Sequence, residues 1–285
     1  MSHRLGRMSG KVCLVTGATA GIGEVTAREL AKQGATVVVA GRSLERCENT
    51  TRRIREQTSN PNVDFLAADL SSQRQIRRLA EDFRGRYQRL DVLVNNAGAF
   101  YMKRQESSDG IEMTFALDHL SYYLLTLLLL DLLEDSAPAR IVNVSSGAHQ
   151  GGQIRFDDLN GKQKFSGWGA YSQAKLANVL FTYELDRRLK GKGITANALH
   201  PGFVATQFAK NNGAIYRASM SVVHLFARTP EQGASTSIYL ASSPEVEGVS
   251  GKYFVDQKPG RSSPASYDLA TAEKLWQVSA EMVGL

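Results

Sequence analysis

Six continuous apolar runs, "KVCLVTG", "ATVVVAG", "NVDFLAADL", "LDVLVNNAG", "ARIVNVSSG" and "ITANALHPG", are each separated from the next by a stretch of helical character. The runs do not alternate between apolar and polar residues, so the strands they form have to be buried on both faces. A chain that alternates such strands with helices packs as a parallel sheet covered by helices on either side. The first helix, "IGEVTARELAKQG", closes at Gly34, and "SLERCENTTRRIREQT" starts with Ser43 as N-cap. A further run, "GKYFVD", follows a helix at "TPEQGASTSIYLAS". The expected architecture is α/β, one doubly wound parallel sheet of about seven strands with helices on both faces. No repeat or linker divides residues 1–285, so a single domain is expected, with its core at about 11–256 and a C-terminal loop and helix over 257–285. That loop contains "QKPGRSSPAS", and the last helix is expected near Asp268–Val278.

Composition narrows what such a fold can do. The 34 basic and 28 acidic residues give a net charge of +6 and a pI near 9.3. Arg52, Arg53 and Arg55, like Arg74, Arg77 and Arg78, lie on helical stretches among acids and apolar positions. These are solvated helix faces, so no nucleic-acid partner is expected; an anionic small molecule would gain from the surplus. Cys13 and Cys47 are the two cysteines, with no C-x-x-C pair and no Cys/His cluster, so neither a disulfide framework nor a metal site is expected. Reduced thiols of this kind fit a cytoplasmic protein. The polar start "MSHRLGRMSGK" has no apolar core of a signal peptide. The most lipid-like stretch, "FALDHLSYYLLTLLLLDLLED", is apolar from Leu120 to Leu133. As a helix it would reach roughly 21 Å, short of a hydrocarbon core of about 30 Å, so no transmembrane segment is expected.

Between the first strand and first helix stands "VTGATAGIGE". Gly17, Gly21 and Gly23, with the small or apolar Thr19, Ala20 and Ile22 between them, let a backbone turn tightly and approach a pyrophosphate at a helix N-terminus. The spacing is T-G-x-x-x-G-x-G and not G-x-G-x-x-G, and a purely structural turn would use the same residues. The second run ends at Gly41 with no acid to receive a ribose 2′-hydroxyl; Arg42 follows instead and suits a 2′-phosphate, which favours NADP(H) over NAD. Tyr171 and Lys175 in "YSQAK" are four apart and share a helix face. An ammonium beside a phenol lowers its pKa toward working pH, so Tyr171 can pass a proton to or from a substrate oxygen.

"TGATAGIG", "NNAG", a serine after the fifth run and "YSQAK", in that order, resemble the short-chain dehydrogenase/reductase family, from Lys11 to about Asp256. "RIVNVSSGAH", "AYSQAKLANVLFTYELDRRL" and "HPG" resemble its retinol dehydrogenase-like branch. The resemblance implies a Rossmann-type sheet and assigns residues. Ser146, with Ser145 as the second choice, would hydrogen-bond the substrate oxygen; Tyr171 would be the general acid/base; Lys175 would hold the nicotinamide ribose. Asn95 would tie the central strands, and Asn96, Ala97 and Gly98 would lie along the cofactor. Asp69 and Leu70 match the pair beside the adenine, Pro201 and Gly202 the turn near the nicotinamide, and Val204 and Thr206 its carboxamide contacts. His200 is expected to be a packing residue. Asp118 is placed with the catalytic group because it stands where the family usually has the asparagine of a proton relay to the lysine.

The same resemblance makes residues 203–228 a substrate cover, with Phe208, Ile215, Tyr216, Met220, Val222, Val223, Leu225 and Phe226 as its apolar side. The insert between Ser146 and Tyr171 would add His149, Phe156, Phe165 and Trp168 as an apolar wall. The leading reading is an NADP(H)-dependent reductase of lipophilic or aromatic aldehydes and ketones, monomeric or homodimeric. Two others stay open: an NAD-linked alcohol or steroid dehydrogenase, and a dinucleotide-binding sensor without turnover.

Overall fold

A computed structural model of the chain describes residues 6–204 and 227–285. The expected runs form β1 (Val12–Thr16), β2 (Thr36–Gly41), β3 (Val63–Ala67), β4 (Val92–Asn95), β5 (Ala139–Val144), β6 (Ile194–His200) and β7 (Lys252–Val255). They pair in parallel in the order β3-β2-β1-β4-β5-β6-β7. An eighth strand, β8 (Lys258–Gly260), adds to β7 antiparallel. It falls in the stretch expected to be loop. Asp256 and Gln257, both at positive φ, turn the chain back on itself, and a three-residue edge containing Pro259 has too few residues to show a strand pattern.

Successive residues of each strand serve opposite faces, which is why the runs are apolar throughout. Leu14, Val38 and Leu66 pack with α3 (Gln73–Arg86), α7 (Gly167–Arg188) and the C-terminal α9 (Leu269–Val283). Cys13, Val15, Val37 and Val39 pack on the other side with α1 (Gly21–Lys32), α2 (Leu44–Thr58) and α8 (Pro230–Ser242). The last helix runs about a turn beyond the expected end, to a left-handed Gly284 cap.

The apolar stretch after β4 differs most from expectation. It runs as α4 (Met113–Phe115), through a π turn at Ala116–Leu120 with the backbone helical throughout, into α5 (Ser121–Leu128), and is interrupted only at Leu129 before α6 (Leu130–Asp135). Side chains from elsewhere take carbonyls freed at the π turn and at the interruption. Asn178 Nδ2 donates to Asp118 O at 2.8 Å, and Arg84 Nε donates to Leu128 O at 3.1 Å while also pairing with Asp131. The stretch is apolar because it is core: Tyr122, Tyr123, Leu124 and Leu125 are buried against α3, α7 and α9. Among the described residues no helix is long and apolar enough to cross a membrane.

Candidate active site

The carboxyl ends of β1 to β6 open into a cleft of about 500 Å³. Gly17, Thr19, Ala20, Gly21, Ile22 and Gly23 form its floor at one end. Gly17 has a φ of +64°, and a side chain there would meet Ala97 Cα at 2.8 Å. A Cβ at Gly23 would lie 2.5 Å from both Asn96 Nδ2 and Gly17 O. The loop is therefore closed against "NNAG": Asn96 Nδ2 donates to Thr16 O at 2.8 Å, and Thr16 Oγ1 accepts from the Asn96 and Ala97 N–H groups at 2.9 and 3.1 Å. Ala20, the N-cap of α1, provides no side-chain cap, so the first N–H groups of the helix are left for an acceptor in the cleft.

Arg42 lines the same end, and so do Ser43, expected only as an N-cap, and Arg46, which the sequence did not mark out. Arg42 precedes the Ser43 cap and Arg46 stands in the first turn of α2; a second arginine so soon after the first was the available signal. Asp69 and Leu70 form the side wall, and Asp69 Oδ1 accepts from Ser71 N–H and Oγ–H at 3.0 and 2.7 Å. The backbone cradle, free helix N–H groups and two guanidinium groups fit a dinucleotide bearing phosphates.

The other end carries side-chain chemistry. Ser146, Tyr171 and Lys175 line it together with Asn96, Ala97, Gly98, Pro201, Gly202 and Val204. Thr206 and the apolar side of the expected cover lie outside the described residues. Tyr171 and Lys175 share a face of α7, whose first turn is capped by Ser166 accepting from Gly169 N–H at 3.3 Å. Both Ser145 and Ser146 line the cleft, but the Ser145 Oγ–H is taken, donating to Lys175 O at 2.7 Å, which favours Ser146 for a substrate oxygen. Asn95 Nδ2 donates to Thr126 Oγ1 and Asn143 Oδ1 at 3.0 and 2.9 Å, tying β4 to α5 and β5. His200 holds the turn after β5, its Nδ1 accepting from Gly147 N–H at 2.9 Å.

Asp118 sits behind the cleft wall, fully buried in the π turn. Its Oδ2 is 3.0 Å from Lys175 Nζ, an ion pair whose angles are not those of an aligned hydrogen bond. Its Oδ1 accepts from Ala99 N–H at 2.9 Å. Burial raises the Asp118 carboxyl, while Lys175 and the Ala99 N–H draw it down. Tyr171 does not follow the sequence expectation of a lowered phenol. Burial and the charge of Asp118 push it up, and a hydrogen bond with Ser146 only partly opposes them. The expectation set the ammonium beside the phenol and left out burial, the larger of the two opposing causes; the Asp118 charge, placed near Lys175 from the sequence, adds to it.

The insert wall is also smaller than expected. Trp168 lines the cleft mouth, 62% exposed, with Tyr101, Leu117 and Phe203. His149 is buried instead, its Nδ1–H donating to Ser146 O at 2.6 Å and its Nε2 accepting from Ser263 N–H at 3.0 Å. Phe156 packs against the core under Lys274, and Phe165 covers Gly161. Apolar character alone does not separate these inward positions from the cleft.

Residues 11–217 match the family described as short chain dehydrogenase. The chain belongs to that family. It is 44% identical to human (Homo sapiens) retinol dehydrogenase 14 over 98% of this chain and 88% of that protein. Human retinol dehydrogenase 13 is likewise 44% identical, over 97% of this chain and 85% of its own. A crystal structure from Mycobacterium Paratuberculosis superposes with a TM-score of 0.80 at 32% identity, covering 99% of this chain and 96% of that one. The Pseudomonas aeruginosa RhlG/NADP active-site complex superposes with a TM-score of 0.69 at 29% identity, covering 88% and 96%. The chain is thus an oxidoreductase of the short-chain dehydrogenase family, similar to the retinol dehydrogenases.

Proposed function

We propose that the protein is an NADP(H)-dependent reductase of lipophilic or aromatic aldehydes and ketones. The observation that carries the reading is the convergence of Ser146, Tyr171 and Lys175 on one cleft end, with a glycine cradle and two arginines at the other. Arg42 just after β2 and Arg46 in the first turn of α2, with no acid at the strand tip, support a 2′-phosphate. The glycine loop would hold the pyrophosphate, and Lys175 the nicotinamide ribose. When bound, the reduced dinucleotide supplies a hydride to the carbonyl carbon.

The chain's own residues do the rest. Ser146 Oγ–H orients and polarises the carbonyl oxygen, stabilising the charge that develops there. Tyr171 donates the phenolic proton to that oxygen, and the same phenol, deprotonated, accepts it in the reverse direction. Asp118 fixes the ammonium of Lys175 from behind. Tyr101, Leu117, Trp168 and Phe203 at the mouth support an apolar substrate. The buried, unpaired thiols of Cys13 and Cys47 support a reducing, cytoplasmic setting.

A panel of aromatic and aliphatic aldehydes, ketones and steroids, followed at 340 nm with NADPH and with NADH, tests the reading. Turnover of aromatic carbonyls with at least tenfold preference for NADPH is expected. Equal or better use of NADH would replace it with an NAD-linked dehydrogenase, and binding of NADPH without any turnover would replace it with a dinucleotide sensor.

A further inference from the structure

We propose that Asp118 is a positioning residue that cancels the charge of Lys175, keeps Tyr171 a neutral phenol, and thereby biases the site toward carbonyl reduction. The inference rests on Tyr171 being the proton donor of the proposed reaction.

Asp118 is held at three points. Oδ1 accepts from Ala99 N–H at 2.9 Å, Oδ2 faces Lys175 Nζ at 3.0 Å, and its backbone carbonyl accepts from Asn178 Nδ2 at 2.8 Å. The π turn presents the carboxylate to Lys175, because the extra backbone residue in that turn is stabilised by Asn178 of the same helix that bears the lysine. The cleft wall also yields to the pair: a Cβ at Gly98 would lie 2.9 Å from Oδ2 and 3.2 Å from Nζ. A glycine there lets the buried pair approach the loop backbone.

The electrostatic consequence follows from proximity. Lys175 Nζ lies 5.5 Å from the centre of the Tyr171 ring and 5.7 Å from that of Tyr122. An unpaired ammonium at that distance, in a site this buried, would favour the phenolate. Asp118 removes that field. Whether the shared proton rests on nitrogen or on oxygen, the pair carries no net charge. Among the described residues, the other titratable groups packed around it add no cation. Glu112, ahead of the π turn, is engaged by the Thr114 and Phe115 N–H groups; Tyr122 on α5 and Tyr101 after β4 are phenols pushed up by burial; His119 is held neutral by burial, its pKa lowered to about 4. Tyr171 accordingly keeps its proton and is suited to donate it. In each reduction the phenol O–H breaks, a new O–H forms on the substrate oxygen as the carbon accepts hydride from the reduced dinucleotide, and water restores the phenol.

The test reads Tyr171 directly. Phenolate absorbance at 295 nm is titrated for the parent and Asp118→Asn, each against its own Tyr171→Phe counterpart, so that the difference isolates one of the 10 tyrosines. The pH profile of NADPH-dependent carbonyl reduction is measured alongside. Asp118→Asn is expected to lower the Tyr171 midpoint by about one unit or more, and to move the alkaline limb of reduction down by the same amount. The double variant Asp118→Asn/Lys175→Gln, again net neutral, is expected to return the midpoint to the parent value, and it serves equally if the single variant does not fold. An unchanged midpoint in Asp118→Asn, or a double variant that stays shifted, overturns the proposal. A parent with the expected titrations but no carbonyl turnover removes the catalytic reading and leaves the charge assignment standing.

Discussion

The two ends of the cleft are built by opposite means. The adenosine end is made of backbone and of missing side chains: Gly17 and Gly23 clear a path, α1 offers N–H groups, and the charged groups, Arg42 and Arg46, are exposed. The reactive end is made of side chains withdrawn from water, with Tyr171, Lys175 and Asp118 all buried. Charges at the first end are screened and replaceable; at the second, each depends on its neighbour. The contrast predicts that one end fails gradually and the other all at once.

The sharpest break is expected from Lys175→Met. It strands the Asp118 carboxylate, so denaturant unfolding should show a loss of about 3–5 kcal/mol, and turnover should fall by about 10²–10⁴-fold. Adding Asp118→Leu should recover most of the stability and none of the turnover. Next is Gly23→Ala, whose Cβ would press on Asn96 Nδ2 and Gly17 O at 2.5 Å. It should cost about 1–3 kcal/mol of stability and raise the KM for dinucleotide, leaving the pH profile unmoved. Arg42→Ala with Arg46→Ala should weaken NADPH by about 10–100-fold with little change for NADH, read from KM ratios. The smallest effect is expected from Trp168→Ala, a several-fold loss of kcat/KM for bulky aromatic substrates only, because the ring is largely in solvent.

The same contrast explains how far the sequence could be read. The parallel sheet was legible because strands buried on both faces need apolar residues at every position, as in "VCLVT" and "TVVVAG". The glycine loop and the Tyr171–Lys175 pair were legible because each is a local spacing within one turn or one loop. What escaped depends on contacts between segments far apart. The helix from Met113 widens into a π turn where Asn178 takes a carbonyl and is interrupted where Arg84 takes another, and nothing in a run of leucines announces those partners. His149 was expected at the cleft, but a hydrogen bond to Ser263, 114 residues away, accompanies its burial. The direction of the Tyr171 shift was missed for a related reason. Lys175 is four residues from the tyrosine and easily counted, whereas the burial that pushes the phenol up is made by segments far apart in the chain.

Hydride transfer in Tyr171→Phe tests the central claim most directly. Stopped-flow oxidation of bound NADPH by a carbonyl substrate reads the chemical step, and nucleotide fluorescence reads binding. The account predicts dinucleotide affinity within a few-fold of the parent and a hydride-transfer rate lower by about 10²–10⁴-fold, since the glycine cradle is intact and the proton donor is gone. Transfer at the parental rate in that variant would contradict it.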